Sequence, residues 1–157
     1  MYERILVPLD GSPTAAKALD QAEALAEKLG STLVLVRVVH TIGDLARTAT
    51  PTLARAEFSQ DVIARSRSDS EHAEARSYIA NLSDALRQRG LNVETHVGEG
   101  APGDQIIQTA RSASAGLIVM TAYGAGGAHT RSQKAVFGGV ADEVLRQSYV
   151  PVLLIRP

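Results

Sequence analysis

Arg4-Ile-Leu-Val-Pro-Leu-Asp10, with Gly11, Ser12 and Pro13 behind it, decides how this chain folds. An apolar run closed by an acid reads as a short strand buried on both faces, the kind a parallel sheet requires. Ser12 then stands as a helix N-cap and Pro13 as the first helical residue, the order in which those two types start a helix. Leu19, Ala22, Ala26 and Leu29 follow at spacings of 3, 4 and 3 and define one helical face. Gly30 supplies the stop.

The same alternation repeats outward from this unit. Leu33 to Val39 is a second strand, almost all Leu and Val. Residues 40–66 lose periodicity and read as a long, partly helical excursion, too long for a plain connection and expected to be the most mobile part of the domain. A polar helix is predicted from about Ser68 to Arg89, with Ala75, Ile79, Leu82 and Leu86 as its stripe. Leu91 to Val97 alternates and suits an edge strand. Pro102 opens a helix with Ile106, Ile107 and Ala110 on one face. Gly116 to Met120 is a fourth strand, residues 140–147 a last helix, and Val150 to Ile155 a fifth strand. Strands alternating with helices imply right-handed crossovers, hence an open α/β sheet of five parallel strands with helices on both faces, Rossmann-like, in one domain over residues 1–157.

Bulk properties narrow the function. Hydrophobic residues make up 45% and charged residues 21%, a globular mix. A net charge of −1 and an aromatic content of 4% argue against nucleic acid and anionic membranes as partners. The chain has no cysteine, which removes disulfides and thiol catalysis. With the first strand starting near Arg4 there is no room for a signal peptide, so a cytoplasmic location is expected.

Ligands of open α/β sheets sit beyond the carboxyl ends of the strands, where the strand order reverses. Leu9 and Asp10 arrive there from the first strand, and Thr121, Ala122 and the loop Tyr123-Gly-Ala-Gly-Gly127 from the fourth. The last helix starts from Phe137-Gly138-Gly139-Val140. Helix N-termini offer unpaired N–H donors and a partial positive charge, and glycine lets an anion come close. Gly138 and Gly139 therefore read either as a phosphate site or as capping and packing residues. Asp10 reads either as a ligand to a hydroxyl or a metal's water, or as a helix cap.

Gly98-Glu-Gly-Ala-Pro-Gly103 satisfies G-x-G-x-x-G, but no acid follows about 20 residues on, and the loop comes after the third strand. It reads as a plain β-to-α turn. Walker, nucleophile-elbow and zincin motifs are missing. His40, His72, His96 and His129 lack ligand-like pairing. His72 is expected on a solvated helix face and His96 on a strand, while His40 and His129 suit the rim of the cleft.

Three segments together resemble universal stress proteins. They are Ile5-Leu-Val-Pro-Leu-Asp-Gly-Ser12, Val97-Gly-Glu-Gly-Ala-Pro-Gly-Asp-Gln-Ile-Ile107, and Gly138-Gly-Val-Ala-Asp-Glu-Val-Leu-Arg-Gln-Ser-Tyr-Val-Pro-Val-Leu-Leu-Ile155. The resemblance implies strand order 3-2-1-4-5 and two subgroups, one binding ATP through G-x-x-G-x9-G-[ST] and one without the motif. Gly124 and Gly138 match its second and third glycines. Thr121 stands at the first, and Gly139 at the Ser/Thr. Residues 125–137 number 13, four too many. The missing hydroxyl is worth about 0.5–1.5 kcal/mol. The resemblance places adenine near Val38 and Val39 and a ribose- or adenine-contacting aspartate at Asp10. Leu9, Asp10, Val38, Val39, Thr121, Ala122, Gly124, Gly127, Gly138, Gly139 and Val140 are the implied nucleotide site, for ATP or AMP with or without Mg2+. Non-enzymatic regulation is expected, with slow ATP hydrolysis a weaker reading. The alternative is a dimeric interaction protein with an empty cleft. In either case a homodimer is expected through the edge strand at residues 150–155.

Overall fold

The computed structural model describes residues 2–39, 60–124 and 137–156, and of residues 60–68 the helical backbone alone. The elements are β1 (Arg4–Pro8), α1 (Pro13–Leu29), β2 (Thr32–Val39), α2 (Gln60–Gln88), β3 (Asn92–Glu99), α3 (Pro102–Ser112), β4 (Leu117–Thr121), α4 (Gly139–Gln147) and β5 (Val152–Ile155). The strands form one sheet in the order β3-β2-β1-β4-β5. Every pairing is parallel, with Ile5 opposite both Leu33 and Leu117.

Parallel strands bury both faces, and the core divides accordingly. Ile5, Val7, Leu33, Leu35 and Val119 pack against α1 and α2. Leu6, Val34, Val36, Ile118 and Met120 pack against α3 and α4. Residues of adjacent number thus lie on opposite faces, as the period of two in a strand demands. Burying each large aliphatic side chain stabilises the fold by roughly 1.5–3 kcal/mol.

The helix signals work as predicted at α1. Ser12 Oγ accepts from Ala15 N–H at 3.2 Å, and Gly30 takes the left-handed conformation at φ 66°. Leu19, Ala22 and Ala26 are buried, but Leu29 is 54% exposed because it occupies the last position before the stop, clear of the core.

Several boundaries differ from expectation. α2 starts at Gln60, so residues 60–66 belong to a helix rather than to the excursion. The apolar stripe begins only near Ala75, and backbone hydrogen bonding continues upstream without it. Residues 40–59, for which mobility was expected, lie outside the described residues. β3 reaches Glu99 because β2 offers pairing partners as far as Val39. β1 ends at Pro8, leaving Asp10 in the turn. β5 begins at Val152, since Pro151 has no N–H to donate.

Two glycines of the β3–α3 turn have local structural reasons. Gly100 adopts φ 119°, which a side chain would strain. Gly103 is buried where Glu143 of α4 leans on the first turn of α3, and a Cβ would overlap that carboxylate. His72 is less solvated than expected. It turns toward β3, where its Nε2 lies 3.7 Å from a Glu99 carboxylate oxygen. His96 lies on β3, while His40 and His129 are outside the described residues. Among the described residues no helix is long and apolar enough to cross a membrane.

Candidate functional site

The chain runs outward from β1 to β3 and then jumps back to β4, so the strand order reverses between β1 and β4. A cleft of about 520 Å³ opens there, beyond the carboxyl ends of the strands. That volume suits a small organic ligand. One wall is apolar, from Val36, Val38, Ile106 and Met120, and charge enters through Asp10 and Arg37.

Asp10 is held by the turn it begins. Its Oδ1 accepts from Ser12 N–H at 2.9 Å and from Ser12 Oγ–H at 2.5 Å. Ser12 in turn caps α1, so Asp10 acts on the helix through Ser12. Oδ2 faces Gly124, where a Cβ would stand only 2.6 Å away. Gly124 is thus a glycine because the end of β4 must pass close to this carboxylate.

On the β4 side, Gly138 and Gly139 stand where an anion site was expected, with one difference. Gly138 N–H donates to Ala122 carbonyl oxygen at 2.8 Å and is not available to a ligand. This bond ties the start of α4 to the end of β4. The first intrahelical bond comes from Asp142 N–H to Gly138 oxygen at 2.9 Å. Helix geometry therefore leaves the N–H groups of Gly139, Val140 and Ala141 without intrahelical acceptors, and no side chain among the described residues caps α4. All three residues line the cleft. A Cβ on Gly139 meets no described atom within 4 Å, whereas one on Gly138 would press on Ala122 oxygen at 3.3 Å.

Of the expected site residues, Leu9, Asp10, Val38, Thr121, Ala122, Gly124, Gly138, Gly139 and Val140 come together around this cleft. Val39 does not. Strand alternation turns it away from Val38, and its carbonyl accepts from Gly100 N–H at 3.0 Å. Gly127 lies outside the described residues. The sequence reading missed the α3 wall, Pro102 and Ile106, which only packing brings to the cleft. It also missed Arg37, whose Nη1 donates to Leu9 oxygen at 3.3 Å. A cationic residue inside an otherwise apolar strand was the signal available for it. Tyr78 of α2 feels both charges. Burial pushes its phenol above the usual pKa, Arg37 opposes that rise and Asp10 adds to it.

Among the described residues no group of three or more His, Cys, Asp or Glu is placed to hold a metal ion. Asp10 is the one carboxylate lining the cleft among the described residues.

Comparison with known proteins gives a consistent result. The model of the universal stress protein family matches residues 1–156. The universal stress protein YxiE of Bacillus subtilis is 27% identical over 156 residues, spanning 99% of this chain and 100% of YxiE. The structure of the universal stress protein UspA from Lactobacillus plantarum superposes with a TM-score of 0.78 at 25% identity, covering 99% of this chain and 98% of UspA. The universal stress protein of Archaeoglobus fulgidus in complex with dAMP has a TM-score of 0.61 at 23% identity, with 98% of each chain covered.

Proposed function

Since the chain belongs to the universal stress protein family, we propose that it is a small regulatory stress-response module that holds an adenine nucleotide, ATP or AMP, in the β1/β4 cleft. The observation that carries this reading is the start of α4, which no side chain among the described residues caps and which lines the cleft with Gly139, Val140 and Ala141. Their N–H groups and the helix dipole suit a phosphate. Asp10 lines the same cleft and offers a carboxylate to ribose hydroxyls, and Val36, Val38 and Ile106 offer an apolar wall to a base. The Archaeoglobus fulgidus neighbour, alike in fold, is a complex with dAMP, which supports the choice of ligand.

The reading is of binding rather than turnover. Asp10 is the cleft's one carboxylate among the described residues, and its Oδ1 already accepts two hydrogen bonds. A cytoplasmic location and a homodimer through β5 belong to the same proposal. Leu153 on β5 and Tyr149 before it are 39% and 51% exposed, and this favours a covering partner.

Gly139→Asp tests the site. A Cβ at this position meets no described atom within 4 Å, and an acid at the first helical position favours α4, so the fold is kept. The same charge repels phosphate. Calorimetric titration of nucleotide-free protein with ATP and AMP is expected to show saturable binding for wild type and none for the variant, with unchanged circular dichroism. No saturable heat from wild type at millimolar nucleotide would overturn the proposal and leave the dimer surface as the functional feature.

A further inference from the structure

Among the described residues, Arg37 is the one cationic side chain lining the cleft. Alternation puts it on the face of β2 that α1 and α2 cover, with Leu33 and Leu35, opposite Val36 and Val38. From the carboxyl end of β2 its guanidinium reaches over the β1–α1 turn. Nη1 donates to Leu9 oxygen at 3.3 Å. The same group lies against Gly11, where a Cβ would stand 3.7 Å from both Nη1 and Nη2. Asp10 is the residue between these two contacts.

The turn lies outside regular structure, since β1 ends at Pro8 and α1 begins at Pro13. Gly11 adopts φ 81°, and glycine loses more conformational freedom on folding than any other residue. Leu9 is tied to β2 on both sides. Its N–H donates to Val36 oxygen at 2.8 Å, and its carbonyl accepts from Arg37. Ser12 in turn holds Oδ1 of Asp10 through its N–H at 2.9 Å. Arg37 thus fixes the backbone on either side of Asp10, while Ser12 fixes the carboxylate. A charged donor makes the stronger kind of hydrogen bond, and the planar guanidinium donates at one nitrogen while it packs on the turn.

We propose that Arg37 is a positioning residue of this cleft. By holding Leu9 and Gly11 it sets where Asp10 presents its carboxylate, and it acts on a bound nucleotide through Asp10 rather than by contact. The proposal rests on the nucleotide reading of the cleft and deepens it, naming what holds the ribose-side carboxylate in place.

The experiment is a double-mutant cycle. Nucleotide-free wild type, Arg37→Met, Asp10→Asn and the double variant are titrated with AMP by calorimetry, with thermal melts as the folding control. Arg37→Met keeps an unbranched stem and removes the donors. It is expected to weaken AMP binding on the order of tenfold in the wild-type background and by less than about twofold beside Asp10→Asn, since residues that act through one another are not additive. Equal losses in both backgrounds overturn the proposal and leave nucleotide binding standing. That is the result for a cation that draws phosphate by charge alone, and for a purely structural side chain. Amide exchange gives a second readout without nucleotide. The Ser12 N–H, which donates to Asp10 Oδ1, is expected to exchange faster in Arg37→Met while the amides of β1 and β2 stay protected. Unchanged exchange at Ser12 overturns the proposal, also where Asp10→Asn binds too weakly to close the cycle. If Arg37→Met fails to fold, Arg37→Leu takes its place with the same outcomes. If wild type binds no AMP, the reading of the cleft fails and this inference with it.

Discussion

At Asp10 the two carboxylate oxygens have different neighbours. Oδ1 is taken by Ser12, and Oδ2 faces Gly124. Of the two readings that the sequence left open for this residue, the capping one is met through Ser12, and the ligand one stays with the proposal. Gly124→Ala would drive a methyl group against Oδ2. Its expected effect is weaker binding of AMP and ATP by similar factors, measured by calorimetry, because the disturbance falls on the ribose side and not at the phosphates. Gly139 offers the converse change. Gly139→Ser returns the hydroxyl of the family motif where a Cβ meets no described atom within 4 Å, and is expected to tighten ATP binding by about 0.5–1.5 kcal/mol. Glu23 gives a third test, away from the cleft. It is buried on α1 with Arg89 Nη1 at 2.5 Å, yet burial raises its pKa by more than Arg89 lowers it. A raised folded-state pKa means that the stabilisation is complete below the ordinary carboxyl range and is lost as pH rises through the folded value. The melting temperature of wild type relative to Glu23→Gln should therefore fall from about pH 4 upward. A difference that stays flat with pH would refute this.

Among the elements, α1 was the easiest to read and α2 the hardest. Ser12, Pro13 and Gly30 mark both ends of α1 by local hydrogen bonding and backbone conformation, which neighbouring residues decide. Ser12→Ala should cost about 1 kcal/mol in chemical denaturation, with Asp10 losing the Ser12 hydroxyl donor and keeping the Ser12 N–H. Upstream of Ala75 no apolar stripe marks α2, so periodicity could not find its start at Gln60. β5 was legible as a strand from its Val and Leu content, and its edge position followed from the family resemblance. An exposed edge bearing Leu153 is a hazard unless paired. Two copies are expected to pair their β5 strands antiparallel across a two-fold axis. Light scattering at micromolar concentration should then give twice the 16.6 kDa chain mass, and Leu153→Lys should move the population toward monomer. A monomeric wild type would sink the pairing.

For the whole molecule, ligand binding and stability are linked. A nucleotide that binds only the folded state raises the melting temperature, by about 2.7 kcal/mol of added stability at 100 times its Kd. AMP and ATP are both expected to do so, with ATP recovered intact after long incubation. Steady release of phosphate would argue for an enzyme. The amino-acid sequence by itself determined the α/β class, the succession of strands and helices, and most of the residues around the cleft. These rest on local signals, namely apolar runs, caps and glycines, and on a resemblance that spans the chain. Tertiary structure alone decided which of those residues share one space. Alternation turned Val39 away from Val38, and the bond to Ala122 removed the Gly138 N–H from the anion site. Packing brought Ile106 of α3 to the wall and laid Arg37 over the β1–α1 turn. Each of these contacts joins residues distant in the chain or depends on where a side chain points, and no local pattern of residues encodes either.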